Sequence, residues 1–278
     1  MHMWLWWLLA GCERTSVDYW SATAEICDSA PLVDPFQESE LPSEACGRAI
    51  LEDLGSDPDE VLVAFEVGPD WSAWMQSSDH SLDGLRVMLK GMHWMIGADY
   101  GSELSEGDHV SPEFVTAVER ARRQLGVENA PLQQVYYNYI ANRISGVTLS
   151  PSDDVLFAYK HGSQNLEVPS QMPAGADEAG NFDVNVSNSL SVAAGLLHEA
   201  HHADGWGYRH IACEAPARSV GMSCDEDLSG AYGYGISAIT SYLEHVEDID
   251  TYWIVRERDC VWESHLLLDA PDESLGCQ

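Results

Sequence analysis

The sequence predicts an α+β fold, mainly helical, with a small sheet just ahead of one central helix. Three observations carry this. Apolar residues recur at helical spacing in long stretches, as in Leu82, Leu85, Val87, Met88, Leu89, Met92, Trp94, Met95 and Ile96, and again in Leu190, Val192, Ala193, Leu196 and Leu197. Short strand-like runs cluster between them: Val147-Thr148-Leu149, Val155-Leu156-Phe157-Ala158-Tyr159 and the alternating Phe182-Asp183-Val184-Asn185-Val186. Turn signals then punctuate the helices, with Ser111-Pro112-Glu113 opening one and Gly126 closing it.

Taken in order, the chain opens with an apolar run, Met3-Trp4-Leu5-Trp6-Trp7-Leu8-Leu9-Ala10. It is too short to span a membrane as a mature helix and reads as the core of a signal peptide. Leu9-Ala10-Gly11-Cys12 resembles the lipobox of bacterial lipoproteins, in which the cysteine becomes the lipidated first residue. The resemblance implies a signal peptide over 1–12, a lipid anchor on Cys12, and residence at the bacterial cell envelope, periplasmic or cell-surface. Residues 13–58 are rich in acid, Ser and Pro and read as a tether, ordering into a short helix from about Ser43 to Leu54. A single domain is expected over 59–278. Val61-Leu62-Val63-Ala64-Phe65 fits a buried strand or a helix turn, because periodicity does not separate these.

Seven cysteines fit export: Cys12, Cys27, Cys46, Cys213, Cys224, Cys260 and Cys277. Lipidation of Cys12 leaves six, enough for three disulfides in an oxidising compartment. Short loops favour Cys27–Cys46, Cys213–Cys224 and Cys260–Cys277. The charge balance is strongly acidic, 46 Asp+Glu against 13 Lys+Arg and a net −33. That excludes nucleic acid as a partner, since phosphate recognition needs a basic surface. It equally excludes electrostatic adhesion to anionic lipid.

Helices are expected over 81–97, from Pro112 to Leu125, from Pro131 to Ile144, from Gly230 to Val246 and from Tyr252 to Leu268. His93 and the Tyr136-Tyr137-Asn138-Tyr139 cluster read as packing residues. Asp177, Asn181, Asp183 and Asn185 miss the spacing of a calcium loop and read as a polar hairpin face.

The chemistry concentrates in Leu196-Leu197-His198-Glu199-Ala200-His201-His202-Ala203-Asp204-Gly205, which contains H-E-x-x-H. On a helix, His198 and His202 share a face about 6 Å apart along the axis, so both imidazoles can bind one Zn²⁺. Glu199 is turned about 100° from His198, which suits a general base better than a ligand. Ser189 or Ser191 is expected to cap this helix and Gly205 to end it. His201, at i+3 from His198, is a spare; only His202 gives Glu199 the role of base.

Catalytic zinc usually takes three protein ligands. The candidates for the third are His210, Asp225, Asp227 and Glu244. His210 is favoured, because the breaks at Gly205 and Gly207 let the chain reverse, and a Cys213–Cys224 bond would stiffen the loop that holds it. Asp225 is the second choice, as a ligand or as a carboxylate that orients a liganding histidine.

These residues resemble the zincin superfamily of metallopeptidases, over about 182–245. Subfamily extensions are incomplete. Gly205 matches the metzincin pattern, but Tyr208 stands where its last histidine would be. Asp225 and Asp227 precede Tyr232-Gly233 at the wrong spacing for an aspzincin, and Glu244 is the gluzincin-like choice. The resemblance implies a sheet and a helix bundle flanking a cleft, Zn²⁺ as cofactor and a peptide or protein substrate. It further implies Glu199 as general base, with Tyr208, Tyr232 or Tyr234 as donor to the oxyanion. An edge strand beside the motif helix would hold the extended substrate. The alternative is a non-catalytic acidic envelope lipoprotein whose histidines bind metal or pack.

Overall fold

A computed structural model describes residues 18–27, 35, 41–77, 83–104, 107, 109–126, 129–151, 157–172, 188–204, 210–213, 223–247, 251–268 and 274. The fold is mixed α+β and mostly helical. Its helices are α1 (Tyr19–Cys27), α2 (Glu44–Asp53), α3 (Pro58–Ala64), α4 (Trp71–Gln76), α5 (Gly84–Gly97), α6 (Pro112–Leu125), α7 (Leu132–Ala141), α8 (Ser189–His201), α9 (Ala231–Leu243) and α10 (Tyr252–His265). Strands β1 (Val147–Leu149), β2 (Ala158–Lys160) and β3 (Asn165–Val168) form one sheet in the order β1-β3-β2. β1 runs parallel to β3, and β2 runs antiparallel to it. A two-residue hairpin, β4 (Ile211–Ala212) with β5 (Ser223–Cys224), forms the other.

Local chemistry explains most helix starts. The side chains of Ser43, Asp57, Asp83 and Ser111 accept backbone N–H groups at the N-termini of α2, α3, α5 and α6. Pro58 and Pro112 sit in the first turn, and Gly126 closes α6 at φ 70°. Residues 61–65, open between strand and helix on pattern alone, belong to α3 and its C-cap. The cap of α8 is Asn188, whose side chain accepts from the Ser191 N–H at 2.8 Å; Ser189 and Ser191 lie inside the helix instead. Asn takes the cap because its carbonyl reaches the third helical N–H from an extended backbone.

Helix α8 is the centre of the core and packs against α5, α7 and α9. Leu190, Val192, Ala193, Leu196, Leu197 and Ala200 are all buried. The α5 backbone comes close at Gly91, where an added Cβ would lie 2.4 Å from the Val192 side chain. His93 is only 3% exposed, and Tyr136, Tyr137 and Tyr139 are buried, so these are packing residues.

The described part of 13–58 is not a tether. Helix α1 packs on α2, α5 and α7, and α2 packs on α5. Cys46, Ile50, Leu51 and Leu54 are fully buried, and Cys27–Cys46 bonds the two helices. The Asn138 carbonyl on α7 accepts the Tyr19 and Trp20 N–H groups at 2.8 and 3.3 Å, a cap supplied from far along the chain. The apolar content of 44–54 wins over the acidic composition around it. The Cys213–Cys224 disulfide is present, and Cys260 is disulfide-bonded. Its expected partner Cys277 lies outside the described residues, as do Cys12, the 1–12 segment, the polar run from Asp177 to Asn185, and the strand at 182–186. Of the strand expected at 155–159, 155 and 156 lie outside the described residues, 157 precedes the strand, and β2 covers 158–160; β3 was not expected. Among the described residues, no helix is long and apolar enough to cross a membrane.

Candidate metal centre

His198 and His202 project from the last turn of α8 and the 3₁₀ turn that follows it, His202–Asp204. His210 comes to them from the residue just before β4. The Nε2 atoms form a nearly equilateral triangle: His198 to His202 is 3.3 Å, His202 to His210 is 3.2 Å, and His210 to His198 is 3.2 Å. Three such contacts cannot all be hydrogen bonds, because a ring nitrogen that donates has no lone pair left to accept. A cation facing three lone pairs satisfies all of them. Tetrahedral zinc with nitrogens at about 2.0–2.1 Å places those nitrogens about 3.3–3.4 Å apart, so the residues present fit such an ion. This group can hold a metal ion.

The protonation states agree. Burial, followed by the nearby imidazoles of His202 and His210, holds His198 well below the ordinary histidine pKa and so neutral. His210 Nδ1 lies 2.7 Å from Asp225 Oδ1. A carboxylate accepts there, so in the neutral ring Nδ1 carries the hydrogen and Nε2 keeps the lone pair that faces the triangle. Asp225 is thus the orienting carboxylate, the second of the two roles open to it. Its other oxygen, Oδ2, accepts the Tyr232 N–H at 2.7 Å. Its backbone donates to the His265 carbonyl at 2.8 Å and accepts from Leu267 N–H at 3.0 Å. Gly230 makes room for this carboxyl, since a Cβ there would lie 2.3 Å from Asp225 Cγ.

Glu199 lies beside the triangle, with Oε1 3.6 Å from His198 Nε2. Its Oε2 accepts the backbone N–H of Tyr159 on β2 at 2.7 Å. Burial pushes the carboxyl up to about 8, and the Tyr159 hydrogen bond opposes that rise. The carboxyl is therefore adjacent to the histidines, desolvated and fixed in orientation.

The other candidates lie elsewhere. His201 is fully buried, with Nε2 2.9 Å from the Ser229 carbonyl and its ring stacked 3.5 Å from Tyr234. Asp227 accepts from Ser229 N–H and Oγ at the start of α9. Glu244 caps the far end of α9 and lines a polar cavity of about 610 Å³ with Ser102, Arg122 and His245. Of the three tyrosines, Tyr208 lies outside the described residues and Tyr234 is buried on His201. Tyr232 remains at the site, its ring 4.4 Å from His198 and 4.7 Å from His210.

Two further histidines lie beside the site. His265 stacks on Tyr232 at 4.1 Å, and His161, in the turn after β2, meets His202 edge-on at 6.1 Å. Neither had a local signal, for both come from elements far apart in sequence. Compared with family models, with curated proteins and with solved structures, the chain matches none.

Proposed function

We propose that this chain is a zinc-dependent peptidase of the zincin kind. His198, His202 and His210 hold the ion, and Glu199 is the general base. The observation that carries the reading is the Nε2 triangle of 3.2–3.3 Å sides with a buried carboxyl 3.6 Å from one corner. A zinc ion in such a site supplies Lewis acidity toward a carbonyl and acidifies a water to a pKa of about 7. The chain's part is to place the base. Glu199 would take a proton at its carboxylate, the ionised form that a neighbouring cation favours against the effect of burial, with Oε2 steadied by Tyr159 N–H while Oε1 faces the histidines. Asp225 fixes the ring of His210 and its tautomer.

A peptide substrate is favoured by β2. Among the described residues it is an edge strand, paired with β3 on one side and packed beside α8 on the other. The Tyr159 N–H points away from β3 toward Glu199, so this strand edge faces the catalytic side. That N–H is engaged by Glu199, so an extended peptide laid along this edge would hydrogen-bond through the outward carbonyl of Tyr159, next to the base. Two disulfides in the described residues favour an oxidising compartment, and with it export and anchoring through Cys12.

The test is zinc content of the purified full chain, then cleavage of a peptide library with and without chelator. Stoichiometric zinc and chelator-sensitive cleavage are expected. Zinc without cleavage leaves a non-catalytic metal-binding protein, and no zinc removes the reading altogether.

A further inference from the structure

We propose that the Cys213–Cys224 disulfide is a positioning element of the metal site, holding His210 against the other two ligands and setting metal affinity. The proposal rests on the metal-binding part of the reading above and not on peptidase activity. Two of the three ligands do not need the bond. His198 and His202 leave a helix whose Leu196, Leu197 and Ala200 are at most 1% exposed. Asp225 does not need it either. It is tied by backbone hydrogen bonds to His265 and Leu267 and by its side chain to Tyr232 N–H, and its neighbour Leu266 is fully buried on α10.

His210 is different. It precedes β4, whose two residues pair with β5 as Ile211↔Cys224 and Ala212↔Ser223. Both β4 residues are exposed, so this pairing brings little apolar burial of its own. A two-stranded hairpin of that length is marginal in water. The cross-link is what makes it permanent. It joins the third residue after His210 to the residue just before Asp225, across a separation of 11. Both sulfurs lie on the Ser264 carbonyl of α10, at 3.8 and 3.6 Å, which seats the bond on the same helix end that holds Asp225. The disulfide therefore pins the donor side of the His210–Asp225 pair to the acceptor side. Removing it leaves a two-histidine site on α8 and a third ligand that must be recaptured by the ion at an entropic cost.

The experiment is Co²⁺ titration of the full chain, read by the visible absorption of the ion and by competition with a chelator. The C213S/C224S chain is expected to bind about tenfold to a hundredfold more weakly than wild type, with unchanged far-UV circular dichroism. C27S/C46S, which removes the bond between α1 and α2, is expected to keep wild-type affinity even where it lowers stability. In an H210A background, C213S/C224S is expected to cost nothing further, because the bond acts through that ligand. Wild-type affinity in folded C213S/C224S overturns the proposal. So does an equal loss with and without His210, and so does a C213S/C224S chain that cannot fold, since the bond would then serve the whole domain. If wild type itself binds no Co²⁺, it is the metal reading that fails.

Discussion

The C-terminal end of α8, a helix buried at the centre of the core, presents His198, Glu199 and His202, whereas the β4–β5 pair, whose β4 residues are exposed, presents His210. The first half is held by burial. Each fully buried leucine beneath it contributes about 1.5–3 kcal/mol, and the helical period sets the spacing of the two histidines without further help. The second half is held by discrete bonds: one disulfide, one imidazole–carboxylate hydrogen bond and a short backbone ladder. Under the proposed metal reading, a site built this way has two ligands that persist as long as the fold does. Its third can be lost while the fold stays intact. The substitutions that follow exploit that asymmetry.

The largest effect is expected at Glu199, the proposed base. Glu199→Gln keeps the size of the side chain and the hydrogen bond from Tyr159 N–H but removes the proton acceptor. Peptide cleavage should fall by about 10²–10⁴-fold with zinc content unchanged. Zinc loss in this variant would make Glu199 part of the metal's binding set instead, and equal turnover would remove the mechanism.

The two halves are compared directly by their ligands. His210→Ala is expected to weaken zinc binding about as much as His198→Ala, measured by chelator competition. Thermal unfolding of the metal-free chain should move less for His210→Ala, because His210 lies next to the exposed β4 residues, whereas His198 stands on a buried helix. Glu244→Ala should leave zinc affinity within about twofold, since that carboxylate lines a separate cavity with Arg122 and His245. A zinc loss confined to Glu244→Ala would move the third ligand from the hairpin to α9.

The core half has its own acid limit. His93 on α5 is buried, and desolvation lowers its pKa from 6.5 to about 4 against a hydrogen bond with the Cys27 backbone. The unfolded chain thus binds this proton more readily than the native one between pH 6.5 and 4. Stability is present in full above pH 6.5 and falls as the pH drops through that window, by up to about 3 kcal/mol. Urea unfolding of the metal-free chain at pH 7 and pH 4.5 checks this. The decline should be shallower in His93→Leu, and an equal decline in both proteins would assign it to other groups.

Legibility in the sequence divides along the same line. The α8 half could be read because its evidence is contiguous: five residues of motif after an apolar helical run. His210 followed from two breaks in the chain and a plausible cross-link nearby. The Tyr159–Glu199 hydrogen bond could not be read, since it spans 40 residues and joins a backbone group to a side chain. His161 and His265 reach the site from a turn after β2 and from the end of α10, with no local pattern to mark them. Helix α1 was hidden for the same reason, because its cap comes from Asn138 on α7. β3 is four residues, too short for alternation to stand out from the turn before it.

The finest probe of the hairpin half is Asp225→Asn. The shape of the side chain is nearly kept, and its carbonyl can still accept from Tyr232 N–H or from His210 Nδ1–H. What changes is the charge of the acceptor and the chance of the amide turning its NH₂ toward the ring. An NH₂ in that position would favour the other tautomer of His210, which puts the hydrogen on Nε2 and blocks the lone pair that faces the ion. Zinc affinity should fall by about 10–100-fold, the range typical when the partner of a liganding histidine is altered. The loss should be absent in a His210→Ala background, where there is no ring left to orient. It should also leave the stability of the metal-free chain close to that of wild type if the α10 contacts of the Asp225 backbone hold that residue in place. Asp225→Asn losing as much in the absence of His210 as in its presence would mean that Asp225 acts on the metal directly, and the hairpin would then supply two ligands rather than one.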